Sequence, residues 1–261
     1  MPDWQESALI LVGHGSSRNA AGRLPTLRLA AMLRRRDLFA EVRECFLKEP
    51  PFPGDILTTV SAVSAYVVPN FAGHGYLTRE VVPRAMGLSG RVTLRSGAGP
   101  RRVLYTAPVG CHPRIPDILR RRVLAVLAGA GIPARAAGLL VIGHGSSRPG
   151  GSAETPEAVA AALREAGDFA EVRTAYLEQE PSVRDWPNLM RAPYVVAAPL
   201  LVAEGLHGGD DLPPLFGLAP GETGAGRIAG RLVWLGGGIG SVQEIADLVL
   251  EQVLACEAPS P

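Results

Sequence analysis

The stretch Gly13-His14-Gly15-Ser16-Ser17-Arg18 returns 130 residues later as Gly143-His144-Gly145-Ser146-Ser147-Arg148. The same offset pairs Phe39-Ala40-Glu41-Val42-Arg43 with Phe169-Ala170-Glu171-Val172-Arg173. Solenoid repeats recur at roughly 20 to 50 residues, so a constant register over this distance indicates duplication of a whole domain. The duplication also provides an internal comparison, because each position can be checked against its counterpart in the other copy.

The boundary between the copies is expected near Gly129 to Gly138, where Ala, Gly and Pro accumulate. We predict an N-terminal domain of residues 1–133 and a C-terminal domain of residues 134–261, each close to the usual size of one domain. A monomer is then sufficient to bring two domains together.

Each copy opens with a short apolar run, residues 8–12 and residues 139–142, as a strand buried on both faces does. Further predicted strands cover residues 42–47, 65–69, 103–107, 172–177, 195–198 and 232–235, and predicted helices cover residues 24–36, 54–64, 115–127, 157–165 and 242–255. Alternating strands and helices with short connections predict an α/β fold in which each copy is a four-stranded parallel sheet with helices on both faces.

Composition excludes several classes of function. The net charge of +1 gives no long-range field for nucleic acid or an anionic membrane. The three cysteines are scattered, without the spacing of a disulfide framework or a cysteine-rich metal site. The N-terminal residues lack the layout of a signal peptide, and no apolar run reaches the ~20 residues of a membrane span. We therefore expect a cytoplasmic protein with no nucleic-acid or membrane partner.

Three side chains of the second copy have the spacing of one site. His144 follows the first strand, Glu178 the second, and His207 lies in the loop after the third, at intervals of 34 and 29 residues. If the first strand lies between the other two, adjacent strand ends ~4.8 Å apart bring these side chains together. Two imidazoles and a carboxylate form a partial ligand shell for a divalent metal with open positions.

Each of these residues also has an ordinary explanation. A histidine in Gly-His-Gly can cap a turn through its ring, and a single strand-end carboxylate is common. In the first copy His14 matches His144, but Lys48 stands opposite Glu178 and Leu77 opposite His207. The first copy has therefore lost two of the three candidate ligands. His74 stands three positions before the matched site and remains a candidate; His112 is expected to be a solvated loop histidine.

A polar cluster follows each of the two histidines, where the next helix should begin. Hydroxyls, unpaired backbone N–H groups and a guanidinium at that point suit a phosphate or carboxylate, although helix capping explains the serines equally well. The candidate anion-binding residues are His14, Ser16, Ser17, Arg18, Ser146, Ser147 and Arg148.

The motifs as a set resemble the sirohydrochlorin chelatases of the CbiX type, within the class II chelatases. The resemblance rests on residues 141–148, on residues 175–178 with Pro181, on residues 199–213 and on residues 103–113. It implies two tandem flavodoxin-like domains, related by a pseudo-two-fold duplication, that hold a tetrapyrrole. Lys48 and Leu77 depart from the family pattern, which leaves three alternatives: a one-site enzyme, a regulatory relative or a degenerate relative.

The resemblance implies insertion of a divalent ion (cobalt, possibly iron or nickel) into sirohydrochlorin or a related tetrapyrrole of a cobalamin or siroheme pathway, with no cofactor beyond that ion. His144, Glu178 and His207 would hold the metal and carry the catalysis. Two other hypotheses fit the same residues. One is a cytoplasmic carrier of a tetrapyrrole or a metal. The other is a zinc hydrolase, which would use the same ligands with a bound water.

Overall fold

The described residues of the first repeat form five strands and four α-helices. The structure is a computed structural model that describes residues 4–17, 20–146, 153–201, 212–237, 239 and 243–257. The elements of the first repeat are β1 (Ser7–Gly13), α1 (Leu24–Arg34), β2 (Glu41–Phe46), α2 (Pro53–Ile56), β3 (Ser64–Pro69), α3 (Val82–Met86), β4 (Val92–Leu94), β5 (Arg102–Tyr105) and α4 (Ile115–Gly129).

The second repeat follows the same plan. Its elements are β6 (Ala137–Gly143), α5 (Glu154–Ala166), β7 (Glu171–Tyr176), α6 (Trp186–Leu189), β8 (Tyr194–Pro199), α7 (Leu212–Leu215), β9 (Gly224–Ile228), β10 (Arg231–Leu235) and α8 (Ile245–Glu257). Each strand that was predicted from an apolar run is present, with ends that differ from the prediction by at most two residues.

Two sheets of equivalent topology result, with strand orders β2-β1-β3-β5-β4 and β7-β6-β8-β10-β9. Four strands of each sheet are parallel, and the first strand of each repeat lies between the second and third, which confirms the flavodoxin-like α/β prediction. Each sheet also has a fifth strand that the sequence analysis missed. These strands, β4 and β9, pair antiparallel with β5 and β10 at the sheet edge.

The two compact units of the chain do not coincide with the two sequence repeats, because each unit contains the last helix of the other repeat. One unit consists of Met1–His112 with Gly240–Pro261, and the other of Pro113–Ile239. Helix α8 therefore completes the first sheet, where Glu251 Oε2 lies 3.3 Å from His112 Nε2 and the Gln252 side chain donates to the Pro108 carbonyl. Helix α4 belongs to the second unit, where Arg120 forms a two-pronged ion pair with Asp168. The loop histidine His112 is thus half-buried, with 9% of its side chain exposed, rather than solvated.

The core of each unit is built on its central strand. All seven residues of β1 and all seven of β6 are buried, because helices cover both faces of each sheet. In the second unit Trp186 stacks on Phe216 with ring centroids 5.4 Å apart. Among the described residues, no helix combines the length and the apolar character needed to cross a membrane.

Candidate functional site

His144 stands at the carboxyl end of β6, directly after the last buried residue of the strand. Its side chain is 44% exposed, so the ring faces solvent at the sheet edge. Gly145 follows with a φ of +75°, a conformation that glycine adopts without strain. The ring Nδ1 lies 3.1 Å from the Gly145 carbonyl, which fits a protonated Nδ1. In that tautomer the lone pair is on Nε2, the atom that would bind a metal.

Glu178 lies beside His144 at the end of the neighbouring strand β7. Its backbone N–H donates to the His144 carbonyl over 2.9 Å, which fixes the two loops in register. The carboxylate Oε2 is 3.8 Å from His144 Nδ1, and 49% of the Glu178 side chain is exposed. The carboxylate is therefore close to the imidazole on its Nδ1 side, and since both side chains have solvent access they can turn so that Oε2 and Nε2 bind one divalent ion at about 2.1 Å.

The third predicted ligand, His207, lies outside the described residues, as do Arg18, Ser147 and Arg148. Within the described ranges no group of three His, Cys, Asp or Glu side chains could hold a metal ion. The structure therefore brings together the histidine and the carboxylate of the predicted trio.

A buried tyrosine supports the loop that carries His144, and the sequence analysis did not identify it. Tyr176 is 1% exposed, and it lies against the backbone on both sides of His144, through its ring at Gly143 and through its Cβ at Gly145. A Cβ atom added to Gly143 would lie 3.0 Å from the ring, and one added to Gly145 would lie 3.0 Å from the Tyr176 Cβ. The glycines of the motif therefore let the loop rest directly on this side chain.

Glu157 on helix α5 holds the tyrosine from the other side. Its Oε1 accepts hydrogen bonds from the Tyr176 hydroxyl over 2.8 Å and from the Thr174 hydroxyl over 2.5 Å. Burial alone would raise the pKa of Glu157, but these two hydrogen bonds and the nearby Arg164 guanidinium lower it overall. The carboxylate is therefore ionised at neutral pH and ties α5 to β7.

Position 179 and its counterpart, position 49, clamp the two histidine loops. The Gln179 side-chain oxygen accepts from the Ser146 N–H over 3.0 Å, and the Glu49 carboxylate accepts from the Ser16 N–H over 2.9 Å. These N–H groups are therefore not unpaired, contrary to the sequence prediction. The reason is that a long polar side chain from the neighbouring loop reaches them. Ser17 is exposed, and Ser16 and Ser146 are half-buried.

The first unit repeats this backbone arrangement with different side chains. His14 is exposed, and its Nδ1 lies 2.9 Å from the Gly15 carbonyl. The Lys48 N–H donates to the His14 carbonyl over 3.1 Å, as Glu178 does to His144. Lys48 therefore takes the place of Glu178 in space as well as in sequence. Leu77 begins a single π-helical turn, Leu77–Val81, and His74 is half-buried in the preceding loop.

A comparison of the two repeats does distinguish Tyr176 and Glu157 from their counterparts. The register places Leu27 opposite Glu157 and Phe46 opposite Tyr176, so the hydroxyl and the carboxylate are both absent where Glu178 is replaced. Phe46 packs under Gly13 and Gly15 as Tyr176 packs under Gly143 and Gly145. A paired change of this kind can be recognised only when the two positions are known to touch.

Two α/β units of flavodoxin-like order, one of them with a histidine and a carboxylate at the carboxyl edge of its sheet, define a tandem chelatase-like protein. The CbiX family model matches residues 8–126 and again residues 138–256. The chain belongs to the CbiX family.

Individual relatives agree with this assignment. A probable sirohydrochlorin cobaltochelatase of Halobacterium salinarum is 32% identical over 270 residues, which cover 97% of this chain and 92% of the relative. Among solved structures, DR2241 from Deinococcus radiodurans, a multi-domain protein with structural similarity to chelatases, is 30% identical with a TM-score of 0.72. The aligned part covers 94% of this chain and 54% of DR2241, so this chain spans about half the length of that protein. The structure of CbiX, the terminal enzyme of siroheme biosynthesis in denitrifying bacteria, shares the fold with a TM-score of 0.69 at 21% identity and covers 97% of this chain and 99% of its own.

Proposed function

We propose that this protein is a chelatase that inserts a divalent metal ion, cobalt or alternatively iron or nickel, into sirohydrochlorin or a related tetrapyrrole. The observation that carries the proposal is the approach of Glu178 Oε2 to within 3.8 Å of His144 Nδ1 at the carboxyl edge of a sheet in a CbiX-family chain. The relative that is named a probable cobaltochelatase aligns over nearly the whole length of both chains, which supports the same reaction here.

In this proposal the metal is a substrate that binds through the second unit. His144, Glu178 and His207 hold the ion with incomplete ligation, so it can leave. As the ion enters the ring, two pyrrole N–H protons must depart: an imidazole whose Nε2 the ion has left accepts one of them, and solvent water accepts the other. The ring nitrogens then replace the protein ligands. Catalysis requires no cofactor besides the ion.

The polar residues of both histidine loops complete the proposal by holding the macrocycle. Guanidinium groups grip carboxylates with two parallel hydrogen bonds, which suits Arg18 and Arg148 to the acidic rim of a tetrapyrrole. Ser16, Ser17, Ser146, Ser147 and His14 would contribute further hydrogen bonds. The ligand types do not select one metal, because the affinity of any such site for divalent first-row metals increases in the same general order, the Irving–Williams order.

An absorption assay tests this function. Purified protein is mixed with sirohydrochlorin and Co²⁺, Fe²⁺ or Ni²⁺, and the spectrum is followed over time. Catalysed insertion gives a progressive band shift with many turnovers, whereas a carrier gives an immediate stoichiometric change. H144A and E178A should lose insertion while their thermal unfolding stays close to wild type, because both side chains are about half exposed. Wild-type insertion rates in both variants would refute the assignment of these residues.

A further inference from the structure

One position at the carboxyl edge of the first sheet, position 48, has the opposite charge to its counterpart in the second sheet. Lys48 occupies the position of Glu178, with the same backbone bond to the preceding histidine loop. Its side chain is exposed, and within the described part of the chain it makes no ion pair. Lys48 is also the sole lysine of the sequence. A cation at this point repels a metal ion and attracts an anion.

Exposed apolar side chains also occur at the carboxyl edge of the first sheet. One such side chain follows each of the first three strands: Leu24 follows β1 and is 41% exposed, Phe52 follows β2 and is 43% exposed, and Tyr76 follows β3 and is 54% exposed. Because these strands are adjacent, in the order β2-β1-β3, all three side chains belong to neighbouring loops at one edge of the sheet. In the second repeat, Glu154 stands opposite Leu24 and Ser182 opposite Phe52. Leu206 stands opposite Tyr76, so two of the three positions have changed from apolar to polar between the repeats.

An ion pair shows that the loops meet. Arg23 Nη1 lies 3.3 Å from Glu49 Oε2, and the other Glu49 oxygen accepts from the Ser16 N–H. Leu24 and Lys48 are the chain neighbours of these two paired residues, so the apolar side chain and the cation lie at the same junction. Arg23 also balances the charge of Glu49, which leaves Lys48 as an exposed positive charge there.

We propose that this edge of the first unit binds the tetrapyrrole, with Lys48 pairing with a ring carboxylate and Leu24, Phe52 and Tyr76 contacting the flat face of the ring. The inference rests on the proposed function. Sirohydrochlorin is a conjugated macrocycle whose rim carries acetate and propionate groups, so it presents an apolar face and anions together. A metal ion has neither property. The repeats have thus specialised, one edge for the metal and the other for the organic substrate.

Separate Michaelis constants for the two substrates test the proposal. K48A should raise the KM for sirohydrochlorin about tenfold, because a charge-assisted contact to a carboxylate is lost, and K48E should raise it further. The KM for Co²⁺ should stay within about twofold of wild type. R101A is the matched control. Arg101 is an exposed cation directly before β5, at the amino ends of the parallel strands of the same sheet. Its removal changes the net charge equally and should leave both Michaelis constants unchanged.

Two further variants separate surface chemistry from folding. F52S copies the residue of the second repeat at an exposed position, so it should keep thermal stability and raise only the KM for sirohydrochlorin. E178Q should show the reverse pattern, with the KM for Co²⁺ raised. Wild-type KM values for sirohydrochlorin in K48A, K48E and F52S, alongside normal insertion, would overturn this inference alone. A wild-type protein that neither binds metal-free sirohydrochlorin, measured by its fluorescence, nor inserts metal would overturn the proposed function with it.

Discussion

The Tyr176 hydroxyl donates to Glu157 over 2.8 Å, and this bond joins the strand that ends beside Glu178 to the helix that follows the His144 loop. Tyr176 lies against both glycines that flank His144, with its ring at Gly143 and its Cβ at Gly145. The loop that carries His144 is therefore supported by the side chain of Tyr176, which is itself fixed by its hydrogen bond to Glu157. The first repeat keeps an aromatic ring in this place, as Phe46, but lacks the hydroxyl and its acceptor.

We predict that Y176F weakens metal use more than it weakens the fold. Loss of one hydrogen bond should lower the free energy of unfolding by about 1 kcal/mol. The KM for Co²⁺ should rise several-fold, because the His144 loop is no longer fixed relative to Glu178. T174V is the control: it removes another hydrogen bond to the same Glu157 oxygen, and position 174 lies two residues before the ring that supports the loop. Equal changes in the KM for Co²⁺ in Y176F and T174V would contradict a positioning role for Tyr176.

The lowered pKa of Glu157 predicts a pH-dependent contribution to stability. A carboxyl group with a lower pKa in the folded state stabilises the fold fully above its ordinary value of 4.5, and this contribution is lost as the pH falls through the folded-state pKa. Thermal unfolding of wild type and E157Q is compared from pH 7 down to pH 3. The wild-type advantage should be largest at neutral pH and should shrink at the acid end. An advantage that is constant across this range would show that ionisation of Glu157 does not matter.

The buried parallel strands and their order in the sheet were predictable from the sequence. Residues 8–12 and 139–142 read as strands because both faces of a parallel sheet are covered, and their central position follows from the usual α/β order. The edge strands escaped notice for physical reasons: β4 has three residues, and β9 (Gly224–Ile228) contains two glycines, which carry no strand signal. The predicted helix over 54–64 is shorter because the Thr58 and Thr59 hydroxyls donate to carbonyls three residues earlier, which competes with a continued helix.

The proximity of His144 and Glu178 was predictable, because they follow adjacent strands, and their support was not. Their role as metal ligands stays a prediction. Tyr176 and Glu157 lie within ordinary amphipathic patterns, so only coordinates reveal their contact. The assignment of α8 to the first unit and of α4 to the second could not be predicted either. An apolar helix face shows that the helix covers a sheet, but it does not show which of two similar sheets.

We predict that residues 113–239 fold alone, whereas residues 134–261 do not. Helix α4 buries five apolar side chains in the second unit, each contributing about 1.5–3 kcal/mol, and it adds the pair between Arg120 and Asp168. The fragment 134–261 lacks this helix and carries α8, whose partners belong to the first unit. Circular dichroism during urea titration should show a cooperative transition for 113–239 and a gradual change for 134–261. Two cooperative transitions of similar midpoint would mean that the repeats, rather than the exchanged units, are the folding units.

We predict that G145A impairs activity far beyond its effect on stability. Gly145 has a φ of +75°, and an added Cβ would lie 2.7 Å from Gln179 Cγ. Gln179 cannot swing away without breaking its bond to the Ser146 N–H, so the loop that carries His144 must move instead. G167A is the matched control, because Gly167 has a φ of +70° and its added Cβ would meet nothing closer than 3.9 Å. Both variants incur the backbone strain of about 1–2 kcal/mol, measured by chemical denaturation. Only G145A should lose metal insertion, and an equal loss in G167A would trace the effect to global stability rather than to the position of His144.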